Sequence, residues 1–266
     1  KNNKWQQCPG FFFSQSRRAL NNIIFTGSIT TDCMAAGKIY LVPVTLGGQN
    51  FQDVIPRGVL SITRSLRLFA VEDIRSARRY LRLIDKDFPI DGSEFLELSE
   101  HTKEADIVNY LEPVLNGRDM GLMSEAGLPG IADPGALLVS AAHGKGIRVV
   151  PMAGPSSILL ALISSGLNGQ RFTFHGYLPV KPAERAAALR ELERKSDEGY
   201  AQVFMEAPYR NQKMLDSILS VCSMDTLLCI ASDITLPSES IRTKTISEWK
   251  KNTPSINNKP TVFIIQ

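Results

Sequence analysis

The chain of 266 residues is 43% hydrophobic and has a formal net charge of +3 at pH 7, which suits one large or two small globular domains. Its apolar runs are shorter than the roughly eighteen residues that a membrane helix needs, so we expect no membrane span. The first 33 residues contain four basic residues and one acidic residue and therefore carry the whole net charge. Because the rest of the chain is neutral, a nucleic-acid partner would require a local basic patch.

The spacing of the cysteines argues against both a zinc site and a disulfide framework. Cys8, Cys33, Cys222 and Cys229 show neither the C-x-x-C spacing of a zinc site nor the pattern of a disulfide framework. We therefore expect no metal site and a reducing compartment, the cytoplasm.

Residues 1–36 are predicted to be a leader that is not part of the fold. They run from basic residues through three phenylalanines to a segment rich in Asn, Ser and Thr, without a helical or strand period. The sequence Met34-Ala35-Ala36-Gly37, directly before the first predicted strand, is typical of a true start. The alternative is a transit peptide, because the segment contains Arg and Ser and is poor in acidic residues.

Predicted strands and helices alternate from residue 38 to residue 151. The strands cover residues 38–44, 68–72, 94–98, 120–123 and 147–151, and the helices cover residues 73–84, 103–115 and 135–143. Alternation of this kind predicts a mostly parallel sheet with crossover helices. We assign residues 37–152 to an N-terminal α/β lobe.

A second α/β lobe of similar size is predicted over residues 153–266. Its strands cover residues 171–177, 201–206, 226–231 and 260–265, and its helices cover residues 156–166, 182–195 and 211–221. Residues 241–246 form a polar segment without an assigned structure. The Pro- and Gly-containing segment 151–155 joins the two lobes.

The most informative segment begins where the predicted buried strand at 120–123 ends. Residues 127–135 contain three glycines and two prolines. In open α/β sheets, ligands bind at the carboxyl ends of the strands. Glycine lets the backbone approach a ligand closely, and proline fixes the shape of the loop. The loop has neither the lysine of a Walker loop nor a G-x-G-x-x-G sequence, so a phosphate group is not the predicted ligand.

Six motifs follow one another in a characteristic order and spacing. They are Pro43-Val44-Thr45-Leu46-Gly47, Glu72-Asp73-Ile74-Arg75, Glu100-His101, the loop at 124–135, Gly154-Pro155-Ser156-Ser157 and Glu206-Ala207-Pro208-Tyr209-Arg210. From about residue 38 onward the chain resembles the tetrapyrrole-methylase superfamily, the class III S-adenosylmethionine methyltransferases. Within it, the motifs are most similar to those of the bacterial 2′-O-ribose methyltransferases of small-subunit ribosomal RNA.

Several departures from the family pattern indicate a divergent subgroup. Thr45-Leu46-Gly47-Gly48 stands where T-P-I-G-N is usual, and Ile74 stands where threonine follows Glu-Asp. Thr102 comes after His101 in place of the second half of H-E-H, and Tyr209 replaces a common histidine.

The resemblance implies a mixed C-terminal sheet, an active-site cleft between the two lobes, a homodimer and S-adenosyl-L-methionine as the cofactor. It places the cofactor against Pro43, Leu46, Gly127, Leu128, Ile131, Ser156, Ser157 and Met205. A sulfonium offers no hydrogen-bond donor, so carbonyl oxygens and an apolar wall suit it. Free N–H groups of the helix that begins at Ser156 suit the methionine carboxylate. The alternative for Gly127 and Pro129 is an ordinary turn between a strand and a helix.

Three residues are candidate proton acceptors for an attacking hydroxyl, namely Glu72, His101 and Glu206. Imidazole titrates near neutral pH, which suits His101 to this role. Glu206 ends a strand and is predicted to point into the cleft, and Glu100 is a further candidate. The alternative for His101 is a purely structural role. Alignment of the reactants is expected to matter more than any one base, because the methyl group is already activated.

The helix predicted at 73–84 carries a candidate RNA-binding surface. Arg75, Arg78, Arg79 and Arg82 share one face of it, and Arg57, Arg64 and Arg67 would extend this patch. The candidate RNA contacts are Arg75, Arg78, Arg79 and Arg210, because a guanidinium binds phosphate through two parallel hydrogen bonds. The alternatives are a solvated helix face and, for Asp73, a helix N-cap.

These features favour an S-adenosylmethionine-dependent methyltransferase that modifies a ribose 2′-hydroxyl, with ribosomal RNA or the small ribosomal subunit as its partner. One alternative is a tetrapyrrole, another small molecule or a protein as the acceptor. The other alternative is a catalytically silent RNA-binding module, which the altered motifs at Ile74 and Thr102 favour.

Overall fold

A computed structural model describes residues 35–99 and 101–266 of the chain. Contacts within the chain group Met34–Gln266 into one compact unit. The predicted leader lies outside the described residues, except for its last two. Among the described helices, none has both the length and the apolar character that crossing a membrane requires.

The first sheet is formed by β1 (Lys38–Leu41), β2 (Leu68–Val71), β3 (Glu94–Glu97), β4 (Met120–Met123) and β5 (Arg148–Pro151). Its strands are parallel and lie in the order β3-β2-β4-β1-β5. The connecting helices are α1 (Arg57–Ser65), α2 (Ile74–Ile84), α3 (Glu104–Leu115) and α4 (Gly135–Gly144). The predicted parallel sheet with crossover helices is confirmed.

Helices cover both faces of the first sheet. α1 and α2 pack on one face through residues such as Leu60 and Leu81, and α3 and α4 pack on the other through Leu111 and Leu138. The central strands β2 and β4 are buried along their whole length, which explains why their sequences are continuously apolar. Each fully buried leucine contributes about 1.5–3 kcal/mol to this packing.

The second sheet is formed by β6 (Phe172–Tyr177), β7 (Ala201–Met205), β8 (Leu227–Ser232), β9 (Ser240–Thr245) and β10 (Thr261–Ile265). The order is β6-β7-β10-β8-β9, and β6 pairs with β7 in parallel while the other pairs are antiparallel. The mixed sheet is therefore confirmed. α5 (Ser157–Ser165) packs on one face. The other face carries α6 (Pro182–Ser196), α7 (Asn211–Val221) and α8 (Ile246–Lys251).

The sequence patterns do not predict α1, β9 or α8. α1 has only nine residues and buries Val59, Leu60 and Thr63, which is too short an apolar pattern to recognise. β9 is a polar edge strand that pairs with β8 alone, so it lacks an apolar run. α8 is a six-residue helix that depends on its capping box between Thr245 and Glu248.

The two sheets come from separate halves of the chain. The predicted boundary between the lobes, at residues 152 and 153, falls between β5 and α5. This division stays a prediction, because Met34–Gln266 group into one unit.

Candidate active site

A cavity of about 530 Å³ lies where the loops after three first-sheet strands meet the second sheet. β1, β2 and β4 are the central strands of the first sheet, and the segments that follow them supply Leu46, Glu72 and Gly127. The carboxyl ends of parallel strands meet at one edge of a sheet, so this is the expected position for a ligand site. The second half of the chain contributes Ser156, Ser157, Ile158, Tyr177, Met205, Glu206, Pro208, Ala231, Ile234, Pro260, Thr261 and Val262.

The loop between β4 and α4 is held in shape by Asp133. Its carboxylate accepts hydrogen bonds from the N–H of Gly130, at 2.9 and 2.8 Å, and from the N–H of Gly135, at 2.7 Å. Gly127 and Gly130 have φ angles of +72° and +87°, and Ala132 has +60°. The two glycines occupy a backbone region that other residues rarely adopt, so the geometry of the loop requires them.

Close contacts join this loop to two other motifs. A Cβ atom on Gly127 would lie 3.2 Å from both Leu46 Cδ2 and the carbonyl oxygen of Pro155. A Cβ atom on Gly154 would lie only 2.1 Å from Pro43 Cβ. The N–H of Val44 donates to the carbonyl oxygen of Gly127 at 2.9 Å. Gly127 and Gly154 therefore permit backbone packing that a larger residue would prevent.

Most of the predicted cofactor residues border the same cavity. They are Leu46, Gly127, Leu128, Ile131, Ser156, Ser157 and Met205. Pro43 lies behind the wall, packed against Gly154, and its carbonyl oxygen accepts a hydrogen bond from the buried Tyr80 hydroxyl at 3.1 Å. Ser156 is the N-cap of α5 and accepts a hydrogen bond from the N–H of Leu159. The structure thus brings residues of five of the six sequence motifs to one cavity, and the motif Glu100-His101 is the exception.

The first-sheet side of the cavity is acidic. Glu72, Glu125 and Asp133 all border it. Burial raises the pKa of the Glu72 carboxyl, and the nearby charges of Glu125, Asp133 and Asp73 raise it further. The N–H of Glu125 donates to Glu72 Oε2 at 3.2 Å and opposes this increase. Within the described residues, no group of His, Cys, Asp or Glu is arranged to hold a metal ion.

Glu206 also borders the cavity, but its side chain is fully buried and paired with Arg210. Arg210 Nη2 lies 2.6 Å from Glu206 Oε1, and the N–H of Ala207 donates to the same oxygen at 2.7 Å. Glu206 Oε2 and Arg210 Nε are buried without a hydrogen-bond partner. The carboxylate therefore holds Arg210 in place, and its side chain has no accessible surface.

His101 is exposed, beyond the end of β3, and it is not among the residues that border the cavity. Of the three candidate proton acceptors, the structure places Glu72 and Glu206 together at the cavity. Glu100 lies outside the described residues.

The predicted arginine surface is partly engaged in contacts with the protein itself. Arg75, Arg78 and Arg79 are exposed on α2, and the Arg78 guanidinium lies 5.1 Å from the centre of the Phe95 ring. The Arg64 guanidinium donates to the carbonyl oxygen of Ile84. The Asp73 side chain accepts a hydrogen bond from the N–H of Ser76 at 2.6 Å, which confirms its alternative role as the N-cap of α2.

Tyr177 borders the cavity and was not predicted. The pairing of β6 with β7 shifts between Phe174 and Tyr177, because three residues of β6 span two residues of β7. Gly176, inside this bulge, has a φ angle of +64°. A glycine within an aromatic strand was the available sequence signal for a bulge.

The fold is shared with solved methyltransferases. The methyltransferase CobJ superposes with a TM-score of 0.59 at 17% sequence identity, over 86% of this chain and 94% of that one. The cobalt precorrin-4 methyltransferase CbiF, a cobalamin biosynthetic enzyme, has a TM-score of 0.54 at 16% identity, over the same shares of the two chains.

Sequence comparison defines the family. The profile of the Tetrapyrrole (Corrin/Porphyrin) Methylases matches residues 38–250, so the chain belongs to this family and is a methyltransferase. A relative from Xylella fastidiosa, ribosomal RNA small subunit methyltransferase I, is 31% identical over 84% of this chain and 78% of its own length. The protein of the same name from Pseudomonas aeruginosa is 32% identical, over 81% of this chain and 72% of its own length.

Proposed function

We propose that this methyltransferase transfers the methyl group of S-adenosyl-L-methionine to a ribose 2′-hydroxyl of small-subunit ribosomal RNA. The observation that carries the proposal is the cavity, which is bordered by the segments that resemble the motifs of such enzymes. The names of the relatives from Xylella and Pseudomonas support small-subunit ribosomal RNA as the acceptor. Ribosomal subunits are found in the cytoplasm, which we propose as the place of action.

The cavity fits S-adenosylmethionine in size and in chemistry. Its volume of about 530 Å³ lies within the range of roughly 300–1,000 Å³ that is typical of small-molecule sites. Leu46, Leu128, Ile131 and Met205 provide an apolar wall for the adenosine. The first N–H groups of α5, next to Ser156 and Ser157, are suited to the carboxylate of the methionine part.

The acidic side of the cavity complements the positive charges of the cofactor. S-adenosylmethionine, when bound, supplies a methyl group on a positively charged sulfur atom. Glu72, Glu125 and Asp133 stabilise positive charge in this part of the site. The Gly127 backbone supplies the close approach that the bulky ligand requires.

We propose Glu72 as the group that takes the proton from the acceptor hydroxyl. It borders the cavity, and its raised pKa brings its basicity closer to that needed near neutral pH. A positioned base contributes typically about 10²- to 10⁴-fold to the rate. Glu206 has a different role, since it positions Arg210. The role of His101 as a proton acceptor stays a prediction.

RNA binding is proposed for Arg75, Arg78 and Arg79 on α2 and for Arg210 at the edge of the cavity. α2 begins directly after Glu72 and Asp73, so its exposed arginines lie on the element that leads away from the proposed base. They supply the local basic patch that a chain with a neutral body requires for a polyanionic partner.

The acceptor can be tested by incubating the enzyme with methyl-labelled S-adenosylmethionine and small ribosomal subunits that lack the modification. We expect label in the RNA, at one position that becomes resistant to alkaline cleavage, because a methylated 2′-oxygen cannot attack its phosphate. The variant Arg75→Ala/Arg79→Ala should lose transfer and keep its affinity for S-adenosylhomocysteine. Label that appears only in a tetrapyrrole, another small molecule or a protein would show that the acceptor is not RNA. RNA binding without any methyl transfer would indicate a catalytically silent RNA-binding module.

We also propose that the protein is a homodimer through α4 and α5. Both helices are apolar around most of their circumference, and neither carries Asp, Glu, Lys or Arg. Leu137 on α4 and Leu159 and Ile163 on α5 are exposed, with Ile163 76% accessible. A helix that is apolar on its outer face is typical of a buried contact, and an uncharged surface pairs with a copy of itself without repulsion.

The charged variant Ile163→Glu is expected to be monomeric, because a homodimer would bury two like charges at one contact. Sedimentation velocity measures the change directly. The matched control is Val180→Glu, which places the same charge at an exposed apolar residue outside α4 and α5 and should sediment as the wild type does. A wild-type protein that is already monomeric would contradict the proposed dimer.

A further inference from the structure

Two exposed tyrosines and an arginine stand together beside the cavity, on the side of the second sheet. Tyr177 borders the cavity and is 57% accessible, and Tyr209 follows Pro208, which also borders it, and is 65% accessible. Arg210 connects them. Its Nη1 donates to the Tyr209 hydroxyl at 2.9 Å, and its guanidinium lies 5.1 Å from the Tyr209 ring centre. Its ion-pair partner Glu206 borders the same cavity as Tyr177.

The backbone of β6 places Tyr177 on this side by an irregularity. Tyr177 pairs with Met205, a residue of the cavity wall, only because β6 contains one extra residue after Phe174. Paired residues on neighbouring strands project from the same face of a sheet, so a shift of one residue would move the ring to the opposite face. Bulges of this kind re-aim side chains next to active sites.

Hydrogen bonds satisfy the Arg210–Glu206 pair only in part. Glu206 Oε2 and Arg210 Nε are both buried without a partner, and each such atom costs free energy that a purely structural ion pair would avoid. The arginine is thereby fixed against Tyr209, with a quarter of its side chain accessible. Rigid placement of a partly accessible cation beside an exposed ring, at a cavity that a second exposed ring borders, indicates recognition of a ligand.

We propose that Tyr177, Arg210 and Tyr209 form a subsite for an unpaired nucleotide of the acceptor RNA, in which the rings stack on bases and Arg210 contacts the backbone phosphate. This inference rests on the proposed function. Aromatic rings and guanidinium planes are the groups that bind unstacked bases, and they cannot stack on bases inside an intact A-form helix. The acceptor ribose therefore belongs to a loop, bulge or extruded nucleotide.

The subsite is tested by measuring methyl transfer to unmodified small ribosomal subunits with Tyr177→Leu and Tyr209→Leu. Each lost stack is expected to lower kcat/KM for the subunit roughly 5- to 150-fold, mainly through KM. Tyr177→Phe and Tyr209→Phe keep the ring and should retain wild-type values. Affinity for S-adenosylhomocysteine should be unchanged in the two Tyr209 variants, because Tyr209 is not among the residues that border the cavity.

Tyr200→Leu is the matched control. Tyr200 directly precedes β7, its ring centre lies 4.1 Å from the Arg171 guanidinium, and it is not among the residues that border the cavity. Its kcat/KM should equal that of the wild type. Leucine variants with wild-type kcat/KM would overturn the subsite while leaving the proposed function intact. If kcat/KM fell as much in the phenylalanine variants as in the leucine variants, stacking of the rings on bases would be ruled out. A wild-type enzyme without transfer to RNA would reject the proposed acceptor and the subsite with it.

Discussion

Gly127→Trp is expected to abolish measurable binding of S-adenosylhomocysteine. The position has a φ angle of +72°, and even a Cβ atom would lie 3.2 Å from Leu46 Cδ2 and from the Pro155 carbonyl oxygen. An indole must therefore enter the cavity or push the wall apart. We expect affinity to fall at least about 100-fold, or about 2.7 kcal/mol, in isothermal titration calorimetry.

The control for this variant is Gly146→Trp. Gly146 has a nearly equal φ angle of +69°, in the turn after α4, and a Cβ atom there would meet nothing within 4 Å. Both variants therefore carry similar backbone strain, and only Gly127→Trp disturbs the cavity. Wild-type affinity in Gly127→Trp would show that the loop after β4 does not hold the cofactor.

The second large effect is expected for Glu72→Gln, which should lower kcat by about 10²- to 10⁴-fold if Glu72 takes the proton. Glutamine still accepts the hydrogen bond from the Glu125 N–H, so the wall of the cavity is preserved. Folding raises the pKa of Glu72 above the ordinary value of 4.5. The ionised carboxylate therefore lowers stability above its native pKa, and the neutral amide should melt at the same or a higher temperature at pH 7.

The pH dependence of the wild type provides an independent measurement. A base acts only when ionised, so transfer should decline as the pH falls through the raised pKa of Glu72, and this limb should be absent in Glu72→Gln. The charge of Glu125 contributes to the increase, so Glu125→Gln should keep most of kcat and move the limb to lower pH. An acid limb that is unchanged in both variants would assign the titration to a group other than Glu72.

The local part of the site follows from the sequence, and the non-local part does not. The glycines and prolines at 127–135 predict a loop from local sequence alone. Because this loop follows a buried strand, its position indicated one wall of the cavity. The N-caps Asp73 and Ser156 are equally local, because a cap contacts backbone only three residues away. The strand order that brings the β1, β2 and β4 loops together depends on crossover connections that no short pattern encodes.

Tyr177 was not predicted, because it reaches the cavity through its register with β7, a separate segment of the chain. Glu206 was predicted to point into the cleft, but its side chain is buried in a pair with Arg210, four residues further along the chain. The edge strand β9 and the short helix α1 were not predicted, because neither carries an apolar pattern long enough to recognise.

The three hydrogen bonds that Asp133 accepts have a consequence for how the ligand is held. Because the Asp133 carboxylate fixes the conformation of the loop, the loop is already ordered before the ligand binds. Binding therefore costs little conformational entropy at this wall of the cavity. The same arrangement links affinity to folding. A substitution that disrupts the loop should therefore lower the stability of the native protein, and a bound ligand should raise it.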